Sequence, residues 1–536
     1  MVLAAALTAS PGLADDAPAH VPDDATLIAS GAVIGEIVIR AADLFDPERP
    51  GEDKAIYLAA NHLHVTTREG VIRKQLTFGP GDRFDPLRLE ESARLLRKNG
   101  YMWDASIRPI AYREGVVDVE VRTRDVWTLK AGVGFGRSGG ANKTSVGLHD
   151  SNFLGFGKDI ELDRSSDVDR TSTAFGYTDR NLLGRKMRLD ANYASRSDGS
   201  LRGLTIEKPF WAADDRVAWG AAGFRDERTE SLYALGEVTG QFGHVKASYQ
   251  VSGGLGRGTL GGRIHHWRFG WTYEDDSFYA LLDAPAGSTV PDARRLSYPW
   301  IEYRSFRDAF VALRDLDKLG RTEDLNLGRS FHVRLGAAAP AFGSYVAAGV
   351  FEAGVARGFN PGDAQLLLLS GDVSGRAEGS GIRNGLATGG IRYYLRDEGG
   401  RVFHLAYRAS FASRLDPENQ LLLGGDNGLR GYPLRYAQGT SMSLFTVEER
   451  WYGKRDYFKL FRIGAAAFLD VGRVSGRSEL PGGDMDTLRD VGFGLRFGQS
   501  RSAHAAMVHV DVAVPLDTRG TSISGTQLLI TTGETF

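Results

Sequence analysis

The chain has 536 residues, more than one ordinary hydrophobic core encloses, with 65 Lys and Arg against 67 Asp and Glu for a net charge of −2. That balance excludes the basic footprint of a nucleic-acid-binding protein, and the absence of cysteine excludes a disulfide framework or a cysteine metal site. Glycine outnumbers proline 68 to 18, which in strand-like sequence points to turns and close approaches.

Residues 1–14 read as a signal peptide. Residues 2–7 are apolar and Gly12-Leu13-Ala14 resembles a small-x-small cleavage site, although the basic start is missing. Nowhere else does the chain hold the run of about 18 apolar residues that a membrane helix needs. Barrel strands are short and half polar, so a β-barrel stays open. Residues 15–30, acidic with Pro18 and Pro22, are expected to form a linker. A strand is expected over 33–39. Residues 53–65 pattern as a helix with Ile56, Leu58, Ala59 and Leu63 apolar, and Thr66 with Glu69 suggests a capping box for the next segment. A clearer helix follows. Asp85 caps it, Pro86 fits its first position, Asn99-Gly100 ends it, and Leu89, Ala93 and Leu96 make one stripe. Strands over 105–113 and 116–126 then flank a Glu114-Gly115 turn.

From Trp127 onward helical periodicity gives way to period two. Phe403, Leu405, Tyr407, Ala409 and Phe411 share one face, with His404, Arg408 and Ser410 on the other. Val491, Phe493, Leu495 and Phe497 oppose Arg496, and Val508, Val510, Val512 and Val514 oppose His509 and Asp511. A soluble sandwich also alternates. Three features favour a membrane barrel: the length of the alternating region, the Arg and His recurring on the second face as in a wet lumen, and the terminal aromatic Phe536.

These segments resemble the BamA/TamA superfamily of outer-membrane assembly factors, the bacterial surface antigens. Residues 31–127 are similar to a single POTRA (polypeptide-transport-associated) domain, on the strand–helix–helix–strand–strand order, Phe78-Gly79-Pro80-Gly81-Asp82, and Leu96-Arg97-Lys98-Asn99-Gly100-Tyr101. Residues 128–536 resemble the family's barrel. Ser151-Asn152-Phe153-Leu154-Gly155-Phe156-Gly157 and Asp179-Arg180-Asn181-Leu182-Leu183-Gly184 look like its early hairpins. The implied fold is mainly β: a sixteen-stranded transmembrane antiparallel barrel preceded by one α/β domain, with about 25 residues per strand and connection. The implied location is the bacterial outer membrane with the POTRA domain in the periplasm.

The more specific pieces are Leu429-Arg430-Gly431-Tyr432, Glu448, and Phe468-Leu469-Asp470-Val471-Gly472. The resemblance implies that the arginine loop folds into the lumen, with Arg430 opposite Asp470 and Glu448 nearby. Parity agrees. With Phe445 and Val447 outward, Thr446, Glu448 and Arg450 face inward; with Phe461, Ile463, Ala465, Ala467 and Leu469 outward, Arg462, Phe468 and Asp470 face inward. A planar fork donor matched to two acids is a charge-assisted arrangement. Asn427-Gly428 also suits an ordinary hairpin turn, which would leave Arg430 solvated. The lumen pairing is the expectation carried forward, with Arg430 structural and gating.

The expected function is insertion, assembly or translocation of polypeptides at the outer membrane, without catalysis. Clients are expected to add to a strand edge at 105–113 through backbone hydrogen bonds. Strands 126–137 and 526–536 are expected to meet in a seam weakened by Gly132, Gly134, Gly136 and Gly533, with close packing of these glycines against a plug as the other reading. Phe536 resembles the terminal signal by which barrels are recognised for insertion. Partners implied are the lipid bilayer, polypeptide clients and a periplasmic or inner-membrane protein; no ATP, metal or other cofactor site is apparent. A lipid-handling or passive channel protein, or a dedicated secretion partner, is the alternative on the same scaffold. Gly256–261 matches GxGxxG without a following helix and reads as a turn. Gly136–Gly140 matches GxSxG without a nucleophile elbow. His62, His64, His265 and His266 lack metal-type spacing.

Overall fold

The computed structural model describes residues 21–48, 52–212, 215–260, 262–317, 322–379, 381–458, 461–476, 486–499, 507–517, 523 and 525–532. The expected signal peptide, the first residues of the linker (15–20), Gly533 and Phe536 lie outside these. Residues 24–29 depart from the linker expectation and form a short helix, α1 (Asp24–Ala29). Asp23 caps it, accepting from the Thr26 amide at 2.9 Å, and Leu27 is fully buried.

The N-terminal domain follows as β1 (Val33–Ala42), α2 (Ala55–Leu63), α3 (Glu69–Arg73), α4 (Pro86–Arg97), β2 (Met102–Arg113) and β3 (Val116–Asp125). Its sheet has the order β1-β3-β2, with β1 parallel and β2 antiparallel to β3. Glu114 and Gly115 take φ of 48° and 83°, the left-handed pair that a tight hairpin turn requires. Asp85 caps α4 through the Leu87 amide at 3.0 Å, and Leu89, Ala93 and Leu96 are buried against the sheet.

One local expectation fails here. Thr66 and Glu69 form no capping box: the N-cap of α3 is Arg68, and the Thr66 hydroxyl donates to Asp43 Oδ1 at 3.1 Å instead. The apolar stripe of α2 faces outward. Tyr57 is the buried side chain, stacked on Phe45 at 4.6 Å with its hydroxyl donating to the Phe458 carbonyl at 3.0 Å. That aromatic anchor fixes the rotation of α2 and leaves Ile56 and Leu63 70% and 76% exposed.

The expected docking edge is also altered. β2 does lie at the sheet edge. Its Ala105 amide donates to Asp104 Oδ1 at 2.9 Å, and its Ala105 carbonyl accepts from Arg97 Nη1 at 2.9 Å. Outward-pointing backbone groups alternate along an antiparallel strand. Pro109, on the same parity, has no amide to offer. Side-chain capping and proline are devices that blunt sheet edges, so β2 is a poor template for an added strand.

Among the described residues the barrel has twenty strands, not sixteen. Six short ones come first: β4 (Leu129–Ser138), β5 (Ala141–Asp150), β6 (Lys158–Ser166), β7 (Thr171–Asp179), β8 (Arg188–Arg196) and β9 (Gly199–Lys208). Long ones follow: β10 (Val217–Ala234), β11 (Glu237–Leu260), β12 (Arg263–Tyr279) and β13 (Arg294–Arg307). A separate two-stranded hairpin, β14 (Phe310–Arg314) and β15 (Thr322–Asn326), interrupts the wall. The wall resumes with β16 (Ser330–Ala338), β17 (Ala348–Gly362), β18 (Gln365–Glu378), β19 (Gly381–Arg396) and β20 (Arg401–Ser413). A second hairpin, β21 (Leu421–Leu423) and β22 (Ala437–Gly439), precedes β23 (Ser441–Tyr457), β24 (Phe461–Ser475), β25 (Leu488–Gln499), β26 (Val508–Pro515) and β27 (Gln527–Thr532). The count exceeds the expectation because β4 to β9 are 9 or 10 residues each with tight connections. An allotment of about 25 residues per strand undercounts such hairpins.

Period two sorts the wall as expected. Val491, Phe493 and Leu495 are 42%, 65% and 47% exposed on the outside, whereas Arg496, His509 and Asp511 are buried inside. The N-terminal domain sits under the end where β4 begins. The Asn152 amide group donates to Thr67 Oγ1 at 2.8 Å, and Lys186 Nζ donates to the Leu76 carbonyl at 2.9 Å, so the β5–β6 and β7–β8 turns both seat on it.

Candidate functional site

The segment between β20 and β23 folds into the barrel from the end far from the N-terminal domain. Its tip is shaped locally. Asn427 Oδ1 accepts from the Gly424 amide at 2.7 Å, its Nδ2 donates to the Leu422 carbonyl at 2.6 Å, and the Leu429 amide donates to the Gly424 carbonyl at 3.0 Å. Asn427 thus closes a side-chain-backed turn, not a two-residue hairpin. Gly428 has φ of 130°, and a Cβ there would strike Leu444. At Gly431 a Cβ would stand 2.6 Å from Asp490 Cβ and 2.9 Å from the Pro515 amide nitrogen, so only glycine lets the backbone pass that close to the wall. Leu429 and Tyr432 are fully buried with Leu423, Leu444, Val474 and Leu488. The Tyr432 hydroxyl donates to the Arg489 carbonyl at 3.0 Å.

This packing delivers Arg430 to the inner wall. Its Nε and Nη2 donate to Asp470 Oδ2 and Oδ1 at 2.7 and 3.0 Å, and its Nη1 donates to Glu448 Oε2 at 2.9 Å. The guanidinium lies 3.3 Å over the Phe468 ring. Thr446 Oγ1 donates to Asp470 Oδ1 at 2.8 Å. Burial opposes the Arg430 charge, but the facing Asp470 and Glu448 carboxylates outweigh it and hold the group more firmly protonated than a free guanidinium. All six residues expected here, Leu429, Arg430, Gly431, Tyr432, Glu448 and Asp470, come together.

The cluster is larger than that expectation. Glu448 Oε1 also accepts from Arg450 Nε at 3.0 Å and from Arg496 Nη2 at 3.2 Å, and Arg496 bonds Asp511. Three guanidinium groups and three carboxylates therefore share one desolvated site, the condition under which buried charges are tolerated. Arg450, Arg496 and Asp511 were legible as inward-facing, but nothing in a single strand's pattern says which inward charges meet across a barrel.

A second element reaches the cluster from the opposite end. The β14–β15 hairpin rises from the N-terminal-domain side, and Leu316 beyond β14 is buried in a cluster with Leu366, Tyr394, Val402, Tyr452 and Met507. The Leu316 carbonyl accepts from Arg450 Nη1 at 3.1 Å and from the Tyr452 hydroxyl at 3.2 Å. Asp317 Oδ1 accepts from Arg450 Nη1 at 3.2 Å, and Asp317 Oδ2 accepts from the Tyr394 hydroxyl at 3.1 Å. The base of the hairpin is tied to the N-terminal domain: Arg97 Nε and Nη2 donate to Asp324 Oδ2 and Oδ1, each at 3.1 Å, and Arg94 lies 4.0 Å over the Phe310 ring. The sequence reading missed this hairpin entirely. Its strands of five residues are too short for a periodic signal.

The barrel closes where β27 meets β4. Among the described residues this pair shares one register contact, Ile530 with Arg137, whereas β26 and β27 register from Val508 with Thr532 to Ala513 with Gln527. On β4, Val133 and Phe135 are 87% and 51% exposed. Gly132, Gly134 and Gly136 all carry the inward parity. A Cβ at Gly132 would meet nothing within 4 Å, one at Gly134 would meet Ser145 Oγ at 2.5 Å, and one at Gly136 would meet the Ile530 carbonyl at 3.2 Å. None packs on the inserted loop. That contact belongs to Gly139, whose Cα is placed 2.6 Å from where a Gly425 Cβ would stand, and Ser138 Oγ donates to the Gly425 carbonyl at 2.6 Å.

The decoys resolve structurally. Gly256 lies within β11 and not in a turn, its amide donating to the Arg216 carbonyl at 2.8 Å; Gly261 lies outside the described residues. Gly139 and Gly140 make the β4–β5 turn with φ of 51° and 87°. His64 contacts Asp125 at 3.3 Å and His266 stacks on Phe210 at 3.8 Å.

No protein-family model matches the chain, and no curated protein matches it. Solved structures do. BamA and CdiB are among its structural neighbours. BamA from Haemophilus ducreyi lacking POTRA domains 1–3 is 14% identical, over 92% of this chain and 82% of that one, with a TM-score of 0.39. CdiB from Acinetobacter baumannii is 13% identical over 94% and 73% of the two chains, and CdiB from Escherichia coli 12% over 92% and 76%, each with a TM-score of 0.46.

Proposed function

We propose that this protein is an outer-membrane barrel that inserts or translocates other polypeptides, with the N-terminal domain acting as a periplasmic POTRA-type module. The observation that carries the reading is the Arg430 clamp beside the seam where β27 meets β4. A loop held by a bidentate Arg430–Asp470 pair braces the inner wall at β23 to β26, next to β27, where closure rests on Ile530 and Arg137 among the described residues. Bracing one side of this joint lets the other side part without collapse of the wall. Client strands would pair with the edge of β4 exposed by that parting, since backbone pairing makes little demand on sequence. The capped edge of β2 makes the N-terminal domain a guide for clients more than a template.

A passive channel fits less well, because side chains of both inserted elements meet at Arg450 and Glu448 in mid-lumen. The test is insertion of a urea-denatured outer-membrane barrel polypeptide into proteoliposomes containing the protein. Faster insertion than into empty vesicles supports the reading. An equal rate, with small-solute flux through the protein, favours the channel.

A further inference from the structure

The exposed face of α2 has no counterpart in the clamp or the seam. Ile56 and Leu63 are 70% and 76% exposed, and Leu58 and Val65 are 43% and 46% exposed. Ile56, Ala59 and Leu63 fall at helical spacing on that face. A helix in water would not ordinarily present such a stripe. The helix is not free to roll it inward, because Tyr57 on the opposite face is clasped by Phe45 and by the Phe458 carbonyl.

Position supplies the occupant. The C-terminal end of α2 meets the outer wall of β4, β5 and β6. Leu63 and Val65 line a groove of about 310 Å³ together with Leu129, Leu148 and Leu162. Those three leucines carry outward parity and are 43%, 48% and 52% exposed, so they belong to the band that faces lipid if the barrel spans a membrane. The groove is lined by side chains of the wall and not by the β4 edge that pairs with β27, which suits an acyl chain and not a pairing strand. Lys54 at the helix start and His62 beside Leu63 are exposed and polar, as expected at headgroup level.

We propose that α2 is a membrane-contact helix: its Ile56–Leu63 face lies in the periplasm-facing leaflet, and its end holds a phospholipid acyl chain against β4 to β6. This rests on the membrane-barrel reading above. Contact there fixes the N-terminal domain against the bilayer directly beneath the seam strands.

The chain has no cysteine, so single-cysteine variants label cleanly. The full chain carrying a bimane fluorophore at Ile56→Cys or Leu63→Cys is reconstituted in phosphatidylethanolamine–phosphatidylglycerol vesicles with chain-nitroxide lipid, and folded fractions are selected by heat-modifiable migration. Leu495→Cys on the outer wall is the lipid-facing reference and Glu90→Cys on α4 the aqueous one. Labels at 56 and 63 should be quenched about threefold more than the label at 90, approaching that at 495, as an interfacial helix requires. Quenching at 495 with 56 and 63 no different from 90 overturns the α2 proposal alone. Absence of quenching at 495 overturns the membrane reading, and this proposal with it.

Discussion

Arg430 and Arg450 share one carboxylate. Arg430 Nη1 donates to Glu448 Oε2 at 2.9 Å, and Arg450 Nε donates to Glu448 Oε1 at 3.0 Å. Arg430 belongs to the loop entering from one end, and Arg450 holds the hairpin entering from the other. Glu448 therefore joins the arginine of the loop to the arginine that holds the hairpin.

Arg430→Ala should destabilise the folded barrel by about 3–5 kcal/mol, the range for breaking a buried ion pair from one side. Arg430→Lys keeps the charge but loses the fork and should fall between the two. The check is the urea midpoint of the heat-modifiable gel band. Wild-type midpoints in both variants would show that the pair contributes nothing net.

Much of this clamp was readable from parity. A strand has period two, so Phe445 and Val447 facing out force Glu448 in, and Leu469 facing out forces Asp470 in. The β14–β15 hairpin was not readable, because short strands and a charged tip look like any loop. The rotation of α2 was not readable for another reason. Its sequence is apolar on several sides, and only the tertiary clasp on Tyr57 decides which side is inward. The strand count failed because tight hairpins pack more strands into the first part of the wall than an average spacing allows.

Gly431→Ala should expel the loop tip even though every charge remains. The added Cβ meets Asp490 Cβ at 2.6 Å and the Pro515 nitrogen at 2.9 Å, both on the barrel wall. Protease accessibility of residues 424–436 should rise by about tenfold, as for a loop whose closed state loses more than 1.4 kcal/mol. Unchanged accessibility would mean that the wall yields.

The two insertions should act as independent plugs. In planar bilayers, Arg430→Ala alone and deletion of residues 309–327 alone should each give brief openings, because one insertion still fills its end. The combined variant should give a steady, large conductance. A large steady conductance in either single variant would contradict double plugging.

Arg97→Ala removes the bidentate bond to Asp324 and the cap on the Ala105 carbonyl together. Hydrogen exchange should rise at β15 and in β2, while the Arg430 loop keeps its protection. An exchange change confined to α4 would remove the link between the N-terminal domain and the hairpin.

Acid should loosen the outer end of the Arg430 loop. Arg435 Nη1 and Nη2 donate to Asp169 Oδ1 and Oδ2 at 2.8 and 2.6 Å, and this hydrogen bonding lowers the Asp169 pKa below its ordinary value. A depressed folded pKa contributes stability that is complete above the unfolded value of about 3.9 and lost as pH falls through the folded one. Exchange of loop amides, corrected for intrinsic pH dependence, should stay flat down to about pH 5 and rise below about pH 4. Asp169→Asn should show the raised exchange at neutral pH and little further change on acidification.

The seam is the central claim, and a reversible lock tests it most directly. Arg137→Cys with Ile530→Cys places one cysteine on each side of the registered pair between β4 and β27, in a chain with no other cysteine. Oxidised, this variant should lose acceleration of barrel-polypeptide insertion into proteoliposomes, and reduction should restore it to the rate of the protein without cysteines. Full acceleration with the seam demonstrably crosslinked would contradict the account.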